Sequence, residues 1–248
     1  MRIIDCHCHL EAPEFDFDRD KVIQRAIDGK VVMICSGLGI EDSKKVLEIS
    51  KKYDQVFATF GIEPYSKEPV DPVIDFIEQN REKIVGVGEV GLDFWWMKKD
   101  NLDQELMEQN FIRFIDLSKQ LNLPVIVHSR SAGRRAIEIL IEKGARKVMM
   151  HAFDGRAFHA LKGVEQNFFF SIPPSVVRSE QKQKLVKAVP IENLVLETDS
   201  PVLGVDPKSR NEPLFVFESA NKIAEIKGLA LDKVIEVTTR NAKKLFQI

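Results

Sequence analysis

Short apolar runs rich in β-branched residues alternate with amphipathic stretches along the whole chain. MRIID precedes DRDKVIQRAIDG, KVVMICSG precedes IEDSKKVLEISKKY, and QVFATFG precedes DPVIDFIEQNREK. IVGVGEVG then leads to LDQELMEQNFIRFIDLSKQL, where Leu106, Phe111, Phe114, Ile115 and Leu117 recur at helical spacing. LPVIVHS is followed by AGRRAIEILIEKG, RKVMMHA by GRAFHALKGVEQN, FFFSI by SEQKQKLVKAV, and NLVLETD by LFVFESANKIAEIKG. Apolar runs of this kind between helical patterns read as strands of a parallel sheet covered on both faces. Gly29, Gly144 and Gly163 fall where helices should end, and Pro124 stands at a strand entrance, where its missing N–H costs little.

Eight such β-α units within 248 residues predict an α/β fold, a (β/α)8 TIM barrel forming one domain over residues 1–248. A further segment, LDKVIEVTTRNAKKLF, predicts an additional C-terminal helix packed on the outside of the barrel. The competing architecture, a doubly wound open sheet, lacks its G-x-G-x-x-G signature after the first strand. No linker, low-complexity tract or repeat longer than the β-α unit interrupts the pattern.

The net charge of −2 provides no whole-molecule attraction for a polyanion, so nucleic-acid binding would need a local basic patch. Cys6, Cys8 and Cys35 are an odd number without a disulfide-type spacing, which fits a reducing compartment. The amino-terminal residues lack the apolar stretch of a secretory signal, and no segment is long and apolar enough to span a bilayer. The expectation is a cytoplasmic protein with no membrane association and no obligate protein partner.

Four of the five histidines end strand-like runs: His7 and His9 in CHCH, His128 in VIVHSR, and His151 in VMMHAF. Glu89 ends IVGVG and Asp199 follows NLVLE in the same way. A barrel gathers the carboxyl ends of its strands at one mouth, so these six side chains should converge there on a binuclear metal centre. With two residues per strand repeat, His7 and His9 share one face, leaving both Cys6 and Cys8 to face the helices as small buried hydrophobes. A carboxylate can join two cations, which makes Glu89 the bridging candidate. Asp199 is the candidate ligand and general base, although Asp before Pro201 could also serve as a helix cap. Glu197 should orient a ligand from below, and His159, inside a helical pattern, serves no site.

DCHCHL, GEVGLD, VIVHSR, MHAF with Gly155, ETDSP and RNEP, in this order over nearly the whole chain, resemble the TatD-type metal-dependent hydrolases. That family, within the amidohydrolase superfamily, is often described as deoxyribonucleases. The resemblance implies two divalent cations on a TIM barrel, held at His7, His9, Glu89, His128, His151 and Asp199. It also implies phosphate or scaffold contacts at Arg130, Arg210 and Asn211. Two segments depart from the family pattern. Glu63 and Tyr65 in GIEPYS replace two histidines, which removes a cation and adds an acid that would repel a phosphodiester. Phe94, Trp95 and Trp96 follow GLD in place of the usual tyrosine.

The expected activity is divalent-metal-dependent hydrolysis of ester bonds by an activated water, with DNA or a small phosphodiester as substrate. Asp199 and Glu89 are the catalytic candidates, with Arg130 on a phosphoryl oxygen. The imidazole-rich ligand set suits Zn, Mn, Fe or Co better than Mg alone. Trp95 and Trp96, in the loop directly after Glu89, could stack on a base or pack in the core. Two alternatives stay open: a binuclear hydrolase of a small ester, lactone or amide, and a non-catalytic binding barrel. No lysine ends the fourth strand, which counts against relatives whose metals are bridged by a modified lysine.

Overall fold

The computed structural model describes residues 2–248. Among them, eight parallel strands form one sheet in sequential order. They are β1 (Ile3–Cys8), β2 (Val31–Leu38), β3 (Val56–Gly61), β4 (Gly86–Gly91), β5 (Val125–His128), β6 (Val148–Met150), β7 (Phe169–Ile172) and β8 (Leu194–Leu196). Between them run α1 (Arg19–Asp28), α2 (Ile40–Lys52), α3 (Val70–Gln79), α4 (Phe94–Asp100), α5 (Gln104–Leu121), α6 (Gly133–Glu142), α7 (Ala157–Glu165) and α8 (Glu180–Ala188). The chain ends with α9 (Val216–Lys227) and α10 (Leu231–Phe246). This is the (β/α)8 TIM barrel. None of the helices is long and apolar enough to cross a membrane.

Alternation along the strands builds two apolar layers. Ile4, Ile34, Ile126, Met149, Phe169 and Val195 fill the barrel interior. Their neighbours Ile3, Met33, Val127, Met150, Phe170 and Leu196 face outward and join Val22, Ile23 and Val46 of the helices. The β8–β1 edge is closed by a few bonds rather than a regular ladder. Asp199 N donates to His7 O at 2.9 Å, His9 N donates to Ser200 O at 2.8 Å, and the Asp5 carboxylate receives Thr198 N and Oγ1 at 2.8 and 2.6 Å.

Four sequence expectations are corrected here. Cys6 belongs to the inner layer, whereas Cys8 joins the outer layer with its register partner Cys35. Strict alternation fails because the β1–β2 register slips between Asp5 and Cys8. The end of α10 does not pack outside the barrel wall: Ala242, Leu245 and Phe246 join the inner layer. Asn241 Nδ2, one residue earlier, donates to Leu194 O at 2.8 Å, so α10 plugs the end where the strands begin. FWWMKKD is a helix, α4, rather than a loop. Gly163 lies inside α7 instead of ending it, where an added Cβ would be 3.0 Å from the Phe170 ring.

Candidate metal centre

The carboxyl ends of β1, β4, β5, β6 and β8 bring the six candidate ligands to one mouth. His7 Nε2 and His9 Nε2 lie 3.1 Å apart, and His7 Nε2 is 3.1 Å from Glu89 Oε2. Asp199 Oδ1 is 3.6 Å from His7 Nε2 and 3.4 Å from His9 Nε2. The other oxygen of Glu89, Oε1, is 2.5 Å from His128 Nδ1 and 3.8 Å from His151 Nε2. Asp199 Oδ1 reaches His151 Nε2 at 3.7 Å. Glu89 thus turns one oxygen to the β1 pair and the other to the β5–β6 pair.

Two close approaches place Glu89. Gly88 and Gly91 have φ of 144° and 149°. A Cβ on Gly88 would fall 2.6 Å from Ile126 O, and one on Gly91 would fall 2.1 Å from His128 O. Only glycine lets the β4 backbone press so closely on β5 with such dihedrals, and the strand ends level with His128 as a result. Asp199 has φ 53°, in the left-handed region that Asp tolerates better than most residues, and the hydrogen bond from its N–H to His7 O holds it there.

The far nitrogen of each imidazole is anchored, which aims the near one into the cluster. His9 Nδ1 faces only acceptors, Glu11 Oε1 and Ser36 O, both at 3.1 Å. His151 Nδ1 donates to Glu197 Oε2 at 2.7 Å, and His128 Nε2 donates to Asp93 Oδ2 at 2.9 Å. His7 Nδ1 lies 3.0 Å from Ser36 Oγ, which is itself 2.7 Å from Thr59 Oγ1. Neutral His9 and His151 therefore carry their hydrogens on Nδ1 and turn bare Nε2 lone pairs toward carboxylate oxygens. Lone pairs facing lone pairs are the arrangement that a cation resolves. The donor set fits divalent metal, and three overlapping groups meet the spacing: His7 with His9 and Glu89; His7 with His151 and Asp199; Glu89 with His128 and His151.

Without cations, protons take their place. Burial alone would lower His128, but its bonds to Asp93 and Glu89 outweigh this and push it up to about 10. Burial is likewise outweighed at His151, which Glu197, Glu89 and Asp199 push up to about 9. Burial also opposes His9, which Glu11 and Asp199 nonetheless hold well above its ordinary value. His7 moves the other way, because burial and the charge of His151 lower it. Burial would raise both Glu89 and Asp199, yet the charge of His151 and the bonded imidazoles keep both below the usual carboxylate range.

The cluster opens into a cavity of about 700 Å³ with charged groups around its wall. Glu11, Glu14, Asp42 and Glu63 come from the segments after β1 to β3, whereas Arg130, Asp154 and Lys182 come from the segments after β5 to β7. Tyr65 OH donates to Glu63 Oε1 at 2.5 Å, and burial with that neighbouring carboxylate pushes the phenol upward. Arg130 is exposed, with its guanidinium 4.0 Å from the centre of the Trp95 ring. Arg210 and Asn211 do not line the cavity. Arg210 donates to Asp18 Oδ1 at 2.7 Å and Glu212 Oε1 at 3.1 Å, while buried Asn211 donates to Thr198 O at 2.7 Å and Val202 O at 2.8 Å. His159 is on α7, away from the cluster.

Glu11, Ser36, Asp93 and Lys182 escaped the sequence reading. Glu11 and Asp93 are acids within a few residues of His9 and Glu89, so proximity was a usable signal. Asp93 has two roles: Oδ2 holds His128, and Oδ1 receives Trp95 N at 3.0 Å and Trp96 N at 2.8 Å as the cap of α4. Cys35 Sγ, 3.3 Å from Glu11 Oε2, supports the group that holds His9. Lys182 is buried on the cavity wall and lowered by that burial, with Nζ donating to Ala152 O at 3.0 Å. QKQKLVKAV reads as a solvated helix face, and nothing local in it marks Lys182.

A model of the family described as TatD related DNase matches residues 4–247. The human protein named Deoxyribonuclease TATDN3 is 45% identical, over 98% of this chain and 94% of its own length. YabD of Bacillus subtilis, named an uncharacterized metal-dependent hydrolase, is 34% identical over 99% of both chains. The crystal structure of YJJV, a TatD homolog from Escherichia coli K12, superposes with a TM-score of 0.89 at 25% identity, covering 100% of this chain and 98% of that one.

Proposed function

This chain belongs to the TatD related DNase family, and from that premise we propose that it is a metal-dependent phosphodiesterase cleaving DNA at the six-residue cluster. The observation that supports this reading most is Glu89, whose two oxygens face two separate pairs of imidazole nitrogens. A pair of cations would be held by His7, His9, Glu89 and Asp199 on one side, and by Glu89, His128 and His151 on the other. Bound there, they would supply an activated water and neutralise charge on the phosphoryl group. Zn, Mn, Fe and Co suit the imidazole-rich set better than Mg.

The remaining chemistry falls to the protein. Asp199, kept ionised by the neighbouring imidazoles, takes the proton released by the attacking water. Arg130, on the open side of the cavity, holds a non-bridging phosphoryl oxygen as a charged hydrogen-bond donor. Lys182 adds a second positive charge on the same wall. Glu197, Asp93, Glu11 and Ser36 hold the four rings in the orientation that metal binding requires.

The carboxylates of Glu14, Asp42 and Glu63 favour a second reading, a hydrolase of a small uncharged ester, lactone or amide, because they repel phosphate. Metal-depleted protein reloaded with Mn, Zn, Co or Mg, checked by elemental analysis and assayed on a single-stranded oligonucleotide, separates the two. The nuclease reading expects turnover that Asp199→Asn lowers by about 10²-fold or more. Fully loaded protein that cleaves lactones or esters but no phosphodiester would establish the second reading instead.

A further inference from the structure

Beside the metal cavity is a second one of about 420 Å³, lined by Phe94, Trp95, Lys98, Lys99 and Ser131. Arg130 lines only the first cavity and Trp95 only the second. The guanidinium stacks 4.0 Å from the indole centre, so this pair forms the wall between them. Trp95 is 42% exposed, unusual for an indole that could have been packed against α5. Several contacts hold it in this position. Asp93 receives its backbone N–H, Trp96 meets it edge-on at 5.0 Å, and Trp96 is in turn 5.2 Å from Tyr65. Lys99 Nζ lies 3.8 Å from the Trp96 ring centre and 5.1 Å from that of Trp95.

We propose that this second cavity is a nucleotide subsite, in which an unpaired base of single-stranded DNA stacks on Trp95 and the adjoining phosphate meets Lys98 and Lys99. The inference deepens the nuclease reading and rests on it. Charge sets the direction of the strand. A polyanion leaving the metal cluster toward β1–β3 would pass Glu14, Asp42 and Glu63, whereas over the Arg130–Trp95 wall it meets the cations Arg130, Lys98 and Lys99, against Asp154, whose Oδ2 accepts Ser131 N at 2.8 Å. An indole accepts any base on its face, so the subsite adds affinity without reading sequence. Arg130 then stands at the boundary, with its charge toward the scissile phosphoryl group on one side and the indole that takes the base on the other.

Trp95 and Trp96 are the only two tryptophans in the chain, so fluorescence reports on this corner alone. In metal-loaded Trp96→Phe protein, a short phosphorothioate oligothymidylate that resists cleavage should quench the remaining indole. An oligomer of the same phosphate spacing without bases should not. Equal quenching by both, or by neither, overturns the subsite. In turnover, Trp95→Ala should lower kcat/KM on an oligonucleotide by about 5- to 150-fold, mainly through KM, and Trp95→Phe should recover most of it. The loss on methyl p-nitrophenyl phosphate, which has no neighbouring base, should be under about twofold. An equal loss on both substrates would make Trp95 a positioning residue for Arg130 and refute the subsite. If the wild type cleaves no phosphodiester, the nuclease reading fails, while the quenching comparison still decides whether a base binds here.

Discussion

At Glu89 one carboxylate serves two neighbourhoods, with Oε2 at 3.1 Å from His7 and Oε1 at 2.5 Å from His128. Replacing it by Gln keeps the volume and removes the charge, and an amide offers only one good ligand atom. Glu89→Gln should therefore bind one equivalent of metal or none by elemental analysis, with unchanged far-ultraviolet circular dichroism. Retention of two equivalents would remove Glu89 from the bridging role. The ligand types themselves were legible in the sequence, because each ends an apolar run and a barrel collects such ends. Of the residues behind them, Glu197 was legible and is found on His151, and Glu11 and Asp93 lie close enough to His9 and Glu89 to be suspected, but Ser36 and Lys182 carried no local signal. Ser36 and Lys182 come from β2 and α8, and only the pairing of β2 with β1 and the packing of α8 beside Ala152 bring them to His7 and to the cavity.

Among the elements, α10 departs most from its sequence reading. Its amphipathic pattern indicates a buried face without saying what covers it. The structure turns Ala242, Leu245 and Phe246 into the barrel interior beneath Ile4, Ile126 and Val195. Phe246→Ala should thus create a cavity in the inner layer and destabilise the protein by about 3–5 kcal/mol in chemical denaturation. A loss under about 1 kcal/mol, as at an exposed site, would refute burial of Phe246 in the plug. The short α4 shows a different limit. FWWMKKD contains two tryptophans, weak helix formers, yet Asp93 caps it and so couples the helix that presents Trp95 to the ring of His128.

For the whole molecule, the cluster ties folding to pH and metal. His128 and His151 hold their protons up to about pH 10 and about pH 9 in the metal-free chain, against about 6.5 when unfolded. A raised folded value stabilises fully below about pH 6.5, and the benefit is lost as pH rises through about 9–10. The metal-free protein should therefore lose thermal stability between pH 7 and pH 10. Cations displace the same protons, so metal addition should release protons and bind more tightly as pH rises over that window. Thermal unfolding with and without metal, together with an indicator-dye proton count, checks both. Metal-free stability that holds or rises toward pH 10 would contradict the assignment.

The linear chain determined what periodicity and residue chemistry can encode locally: eight strand-helix units, and imidazoles and carboxylates at strand ends. It also carried the motif order that resembles a metal-dependent hydrolase family. Tertiary structure decided what depends on distant segments meeting. A one-residue register slip in β1 left Cys6 inward with Ile4 and turned Cys8 outward, closure of β8 onto β1 placed Asp199 against His7, and α10 became the floor of the barrel. Strand alternation is a property of neighbours in sequence, whereas a slip, a plug and a shared wall between two cavities depend on packing among residues far apart in the chain.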